Sequence, residues 1–129
     1  MLESGYASVG EFHYLHHQRG GQPYENFAET SSRIFAAALQ TGIGLTHLPV
    51  FYMQGDLNGE QLSHDQLRFG NNADRYFILL EQIKKEVQRA PEDYMLGIAP
   101  HSLHAVSPKS LKEILDARIF GPVHIHISE

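Results

Sequence analysis

The chain has 129 residues, of which 42% are hydrophobic and 19% are charged, with a formal net charge of -5 and no cysteine. These values are typical of a globular protein, and the negative charge argues against nucleic acid or an anionic membrane as a partner. The lack of cysteine excludes a disulfide framework and fits a cytoplasmic location, and there is no run of about 18 apolar residues that could span a membrane.

Strand-like and helix-like patterns alternate along the chain, which is typical of a parallel sheet with crossover helices. Strands are predicted at residues 6–13, 43–51, 94–99 and 123–128, and helices at residues 26–40, 72–88 and from 107 onward. A long loop follows the second strand, and loops of that length are often functional. The order of elements contains no linker or repeat, so we expect residues 1–129 to form a single domain.

This order predicts an α/β fold that is half of a (β/α)8 barrel of the TIM type, since a whole barrel needs roughly 200 or more residues. A half-barrel would leave apolar strand edges unpaired. We therefore expect the chain to form a homo-oligomer or to belong to a longer protein. An open, flavodoxin-like sheet is the alternative architecture, because it has the same alternation of strands and helices.

The last predicted strand carries residues typical of a metal site. Because side chains alternate along a strand, His124, His126 and Ser128 share one face. Glu129 follows at the C-terminal end of the strand, where parallel barrels place their chemistry. An imidazole followed three residues later by a carboxylate is typical of a metal ligand and a proton shuttle. The alternative is that the histidines line a polar interior and Glu129 is solvated.

Two other strand ends supply further candidates. His101 follows the third predicted strand and should lie at the same rim as His126, where it could contact a substrate or a metal. A loop histidine bonded to the backbone is the alternative for this residue. Tyr14 follows the first strand and could line a pocket. Of the adjacent His16 and His17, we expect one on the surface, because neighbours on an extended backbone point in opposite directions.

The segments at these strand ends read GEFHYLHH, APHSLHAV and GPVHIHISE. As they stand, they resemble the amidohydrolase superfamily and, within it, the formimidoylglutamate deiminases of histidine degradation. The resemblance spans essentially the whole chain and implies the second to fifth strands of that barrel. It also implies that His126 is a zinc ligand, that Glu129 shuttles protons, and that His101 and Tyr14 contact the substrate.

The sequence departs from that family at two places. Where the family has an arginine that grips a substrate carboxylate, this chain has His104, which remains a candidate substrate-binding residue. A neutral imidazole cannot make the bidentate contact of a guanidinium, so the resemblance here implies a weaker grip or an altered substrate. The family's other metal ligands are not in this sequence, and a catalytic zinc needs three or more protein ligands.

We therefore expect an inactive segment of a zinc-dependent hydrolase that converts N-formimidoyl-L-glutamate, a small molecule, and water to N-formyl-L-glutamate and ammonia. One alternative keeps the superfamily and changes the substrate, as in a deaminase or chlorohydrolase that acts on a ring. The other alternative is a non-catalytic half-barrel that self-associates.

Overall fold

The structure, a computed structural model, describes residues 1–117 and 121–127. Its strands and helices, in chain order, are β1 (Ser8–His13), α1 (Glu29–Thr41), β2 (Gly44–Phe51), α2 (Ala73–Val87), β3 (Tyr94–Leu96), β4 (Ala99–Pro100) and α3 (Pro108–Asp116). The predicted alternation of strands and helices is confirmed through α3, although the third predicted strand is divided into β3 and β4. Within the described part of the fourth predicted strand, residues 123–127 form two isolated bridges and not a regular strand.

All pairings in the sheet are parallel. β1 lies along one edge of β2, and β3 and β4 lie along the other. Beyond them, the end of the chain adds two parallel bridges, Ile98 with Val123 and Ser102 with His126. Because the strands run in one direction, their carboxyl ends lie at a single rim of the sheet, as the sequence predicts.

The break between β3 and β4 occurs at Gly97, where the end of the chain approaches closely. A Cβ atom built on Gly97 would lie 2.6 Å from Cδ2 of Leu48 and would also collide with the carbonyl oxygen of Pro122. The N–H of Ile98 donates to that same carbonyl, at 3.0 Å. Only glycine leaves room for this approach, and the contact fixes the start of the last segment of the chain.

α1 and α2 cover one face of the sheet and build the main core. Its buried side chains from these helices and from β2 are Phe35, Ala38, Leu45, Phe51, Tyr76, Leu79, Leu80 and Ile83. Burying one of the Leu, Ile or Phe side chains of this core contributes about 1.5–3 kcal/mol. The side chain of Asn72 accepts a hydrogen bond from the N–H of Arg75, at 2.9 Å, and so caps the first turn of α2.

α3 begins where the sequence predicts, because the side chain of Ser107 accepts a hydrogen bond from the N–H of Ser110. Ile114 is fully buried, whereas the next residue, Leu115, is 46% exposed. Adjacent helical residues lie about 100° apart around the axis, and the buried stripe of this short helix takes in only the first of them. Among the described helices, none has the length and apolarity needed to traverse a bilayer.

Candidate active site

Aromatic and imidazole rings converge at the carboxyl rim of the sheet. The members of this group, which we call the rim cluster, are Phe12, Tyr14, Tyr52, His101, His124 and His126. The ring centre of Phe12 lies 4.3 Å from that of His126 and 5.7 Å from that of His101. The two imidazole centres are 5.4 Å apart. The phenyl ring of Phe12 therefore contacts the rings of both His101 and His126.

Backbone hydrogen bonds between the strand ends set this spacing. The N–H of His101 donates to the carbonyl of Phe51 at the end of β2, at 3.0 Å. The N–H of His126 donates in turn to the carbonyl of His101, at 2.9 Å. The parallel ladder thus continues past the last regular strand pairs, and it carries each imidazole to the rim from a different segment of the chain.

Three of the residues predicted from the sequence, Tyr14, His101 and His126, meet in the rim cluster. The ring centres of Tyr14 and His101 lie 6.4 Å apart. Tyr14 is 41% exposed, and both histidines are partly buried, so the group is open to a small molecule. Tyr52 was missed at the sequence level, yet it directly follows β2 and its ring centre lies 4.8 Å from that of His101. The rule that selected Tyr14, a ring just past a strand end, also selects Tyr52.

The predicted proton shuttle, Glu129, and the preceding Ser128 lie outside the described residues. His124 is exposed, with its ring centre 5.3 Å from that of Phe12 and 5.4 Å from that of His126. The two histidines thus contact one another and the same phenyl ring, which fits the prediction that they share a face. The catalytic role assigned to Glu129 stays a prediction.

His104 lies on the loop after β4 and contacts the long loop that follows β2. Its Nδ1 is 3.4 Å from Oδ1 of Asp56, and both side chains are exposed. The N–H of Leu57, and secondarily His104, lower the pKa of the Asp56 carboxyl group below its usual value. A carboxylate beside His104 opposes the binding of an anionic group there. The substrate-binding role of His104 remains a prediction.

A second group of histidines lies on the opposite side of the sheet, against α1 and the neighbouring loops. We call it the helix-side cluster, and its members are His13, His16, His17 and His47. The Nε2 atoms of His13 and His47 lie 3.0 Å from the hydroxyl oxygens of Thr30 and Ser31 in α1. These contacts tie β1 and β2 to the first turns of α1.

The expectation that either His16 or His17 lies on the surface is wrong, since both are fully buried. The backbone turns after β1, and the N–H groups of both residues donate to the carbonyl of Arg68, at 3.1 and 2.9 Å. His16 donates from Nε2 to the carbonyl of Val50, at 2.8 Å, and His17 donates to Oδ1 of Asn71, at 2.9 Å. The turn lets both side chains enter the interior.

Burial has a strong effect on the protonation of the helix-side cluster. Desolvation lowers the pKa of His16 to about 3 and holds the pKa of His47 well below its usual value. It also lowers the pKa of His17. These three rings are therefore neutral near pH 7, and the buried Nδ1 atoms of His16 and His47 have no hydrogen-bond partner in the structure. Their chemistry is that of a structural core.

The described residues do not by themselves fit a catalytic zinc ion. Nowhere in residues 1–117 and 121–127 do three His, Asp, Glu or Cys side chains come together in a way that could hold a metal ion. The donor set at the rim is imidazole only, with His126 as the predicted ligand and His101 as its neighbour. A catalytic zinc site normally has three protein ligands and one open position.

Two longer proteins of known name are similar to this chain. The chain is 43% identical over 130 residues to the formimidoylglutamate deiminase of Pseudomonas aeruginosa, an alignment that takes in 100% of this chain and 28% of that protein. The crystal structure of an amidohydrolase from Brucella melitensis matches with a TM-score of 0.93 and 46% identity, over 98% of this chain and 28% of that one. The chain is homologous to one segment of an amidohydrolase.

The chain spans 28% of the length of both of these relatives. No protein-family model matches it. The likeness in structure favours the predicted partial barrel over the open, flavodoxin-like sheet, and the prediction of fold class is confirmed. Because the relatives are more than three times longer, most of a complete active site would come from outside this segment.

Proposed function

We propose that the chain is a segment of a zinc-dependent deiminase that hydrolyses N-formimidoyl-L-glutamate to N-formyl-L-glutamate and ammonia, and that the isolated chain is inactive. The observation that carries the proposal is the convergence of Tyr14, His101 and His126 at one rim of a parallel sheet. The choice of substrate follows from the name of the 43% identical relative. A cytoplasmic place in histidine degradation belongs to the same proposal.

In the proposed reaction, a C–O bond forms from water and the bond from the formimidoyl carbon to its terminal nitrogen breaks. The carboxylate of Glu129 takes a proton from the attacking water and passes it to the terminal nitrogen. It then moves the second proton, from the hydroxyl group of the tetrahedral adduct, to the same nitrogen, which leaves as ammonia while the C=O bond forms. His101 and Tyr14 contact and orient the substrate. His126 would supply one imidazole to a zinc ion, which would activate the water for attack, and the other ligands would come from parts of the enzyme beyond the described residues.

A chimeric enzyme tests this proposal directly. The matching 130 residues of the Pseudomonas aeruginosa deiminase would be replaced by this chain, and zinc content and ammonia release from N-formimidoyl-L-glutamate would be measured. We expect a zinc-loaded chimera that turns over. Glu129→Gln should lower the rate by about 100-fold or more, because general acid–base catalysis contributes about 10²–10⁴.

The matched control is Glu113→Gln, which removes the same charge from an exposed position on α3. This variant should keep the activity of the chimera. A folded, zinc-loaded chimera that releases no ammonia from the substrate would contradict the proposal. Ammonia release from an aminopurine, and none from N-formimidoyl-L-glutamate, would instead support the alternative in which the superfamily is the same and the substrate differs.

A second candidate is a non-catalytic half-barrel that self-associates, and the open edge of β1 favours it. Within the described residues, β1 pairs with β2 alone. Near the two edges of the sheet, three large apolar side chains are more than half exposed, namely those of Tyr6, Val123 and Ile127. Light scattering combined with metal analysis of the 129-residue chain separates the candidates, since a metal-free dimer without turnover would support this one.

A further inference from the structure

A recess beside the rim cluster contains two arginines. It has a volume of about 480 Å³ and is lined by Arg19, Gly20, His64, Asp65, Arg68 and Phe69. These residues come from the turn after β1 and from the long loop after β2. We call it the arginine recess.

The charges in the arginine recess are unbalanced. Neither Arg19 nor Arg68 takes part in an ion pair with any described residue. Nε of Arg68 is buried and has no hydrogen-bond partner. Asp65 is the one acidic residue in the lining, against two guanidinium groups. Two guanidinium groups against one carboxylate leave the recess with an excess of positive charge, which favours an anion as its ligand.

The arginine recess adjoins the rim cluster across one aromatic side chain. Phe69, in its lining, has its ring centre 4.8 Å from that of Tyr14 and 6.1 Å from that of Tyr52. Both tyrosines contact the ring of His101. The carbonyl of Arg68 also accepts hydrogen bonds from the N–H groups of His16 and His17, in the turn after β1. These bonds hold the backbone of Arg68 beside the end of β1.

We infer that the arginine recess binds a carboxylate of a small dicarboxylate. The planar guanidinium group matches a carboxylate in a bidentate contact. The carboxylate of Asp65 disfavours a more highly charged anion such as phosphate, because like charges repel within the recess. In the complete enzyme, the ligand would be a carboxylate in the glutamate portion of the substrate. This last assignment rests on the proposed function, whereas the binding site itself does not.

Titration of the 129-residue chain with glutarate tests the binding site, with the neutral glutaramide and inorganic phosphate as comparison probes. We expect glutarate to bind, glutaramide not to bind, and phosphate to bind about tenfold more weakly than glutarate. Arg68→Gln and Arg19→Gln should each weaken glutarate binding by about tenfold or more, as loss of a charge-assisted contact predicts. Calorimetry or NMR shifts would measure the affinities.

Two further variants guard against effects of folding or of net charge. Arg89→Gln removes the same charge from an exposed residue just after α2 and should leave glutarate binding unchanged. Asp65→Asn should strengthen glutarate binding, a result that a damaged fold cannot produce. Equal weakening by Arg89→Gln and Arg68→Gln, tighter binding of phosphate than of glutarate, or binding of glutaramide would overturn the inference.

The chimeric enzyme separates failure of this inference from failure of the proposed function. Arg68→Gln in the chimera should raise KM for N-formimidoyl-L-glutamate by about tenfold, with a smaller effect on kcat. An active chimera whose KM does not respond to Arg68→Gln would remove the arginine recess from the substrate site and leave the deiminase proposal standing. If the 129-residue chain binds glutarate but the zinc-loaded chimera is inactive, the arginine recess stands as a binding site and the deiminase proposal fails.

Discussion

The two faces of one sheet carry histidines in two different environments. In the rim cluster, His101 and His126 are partly buried and His124 is exposed. In the helix-side cluster, His16 and His47 are fully buried, and desolvation lowers the pKa of both. The residue type is the same, and burial separates imidazoles that can meet a ligand from imidazoles that serve as neutral core.

The difference follows from what covers each face. α1 and the loops around it exclude water from the helix-side cluster, so the charged form of each ring is disfavoured there. At the rim, His101 and His126 are only partly buried and His124 is exposed, so these rings are more accessible to a substrate or a metal. Sequence neighbours fall on opposite sides: Phe12 contacts His126, and His13 contacts His47. A substitution should therefore affect ligand chemistry on one face and stability on the other.

Loss of the metal should be the largest effect. His126→Ala in the chimeric enzyme should remove the zinc and the activity, because a ligand is lost. His124→Ala should retain zinc and lower activity by about 10- to 100-fold at most, as expected for a residue beside a ligand. Metal analysis and ammonia release would check both variants. Zinc loss in His124→Ala with retention in His126→Ala would reverse the assignment.

Substitutions in the helix-side cluster should change the stability of the fold. His16→Ala in the 129-residue chain removes a fully buried ring and leaves the carbonyl of Val50 without its partner, so we expect a loss of about 3 kcal/mol in the free energy of unfolding. His124→Ala, at an exposed position, should change it by less than about 0.5 kcal/mol. Urea unfolding would measure the difference. Equal effects of the two variants would contradict the comparison.

The same burial predicts a dependence of stability on pH. The pKa of His16 is about 3 in the folded state and about 6.5 when unfolded, so the unfolded state binds more protons between these values. The contribution of His16 is therefore complete above about pH 6.5 and is lost as the pH falls toward 3. Between pH 7.5 and 5, His16 should account for a loss of about 2 kcal/mol.

Urea midpoints measured from pH 7.5 to pH 5 would check this prediction. His47 has a lowered pKa as well and should act in the same direction. His16→Gln should reduce the slope of stability against pH, whereas Ser63→Ala, a change of a non-titrating side chain at an exposed loop position, should leave it unchanged. A slope that is the same in both variants would show that other groups cause the acid sensitivity.

The smallest effect should come from a single hydroxyl group. Ser31→Ala leaves Nε2 of His47 without its partner, and both nitrogens of that buried ring would then be unpaired. We expect a loss of about 1–2 kcal/mol. Ser63→Ala, at an exposed loop position, is the matched control and should have little effect. Thermal unfolding of the two variants would resolve the difference.

Local sequence patterns predicted much of the fold and of the candidate site. The sequence predicted helices at residues 72–88 and from 107 onward, and α2 and α3 lie at these positions. Parallel topology then predicted that Tyr14, His101 and His126 would meet, and they do. The break at Gly97 was not predicted, because it depends on the carbonyl of Pro122, which is distant in sequence.

The sequence by itself determined the alternation of strands and helices and the identity of the rings at the strand ends, because side-chain periodicity and capping act over a few residues. Only the tertiary structure decided which histidines are neutral core and which are open to ligands. It also left two arginines unpaired beside the rim. Desolvation and ion pairing depend on groups that approach from distant parts of the chain, and no local pattern encodes that approach.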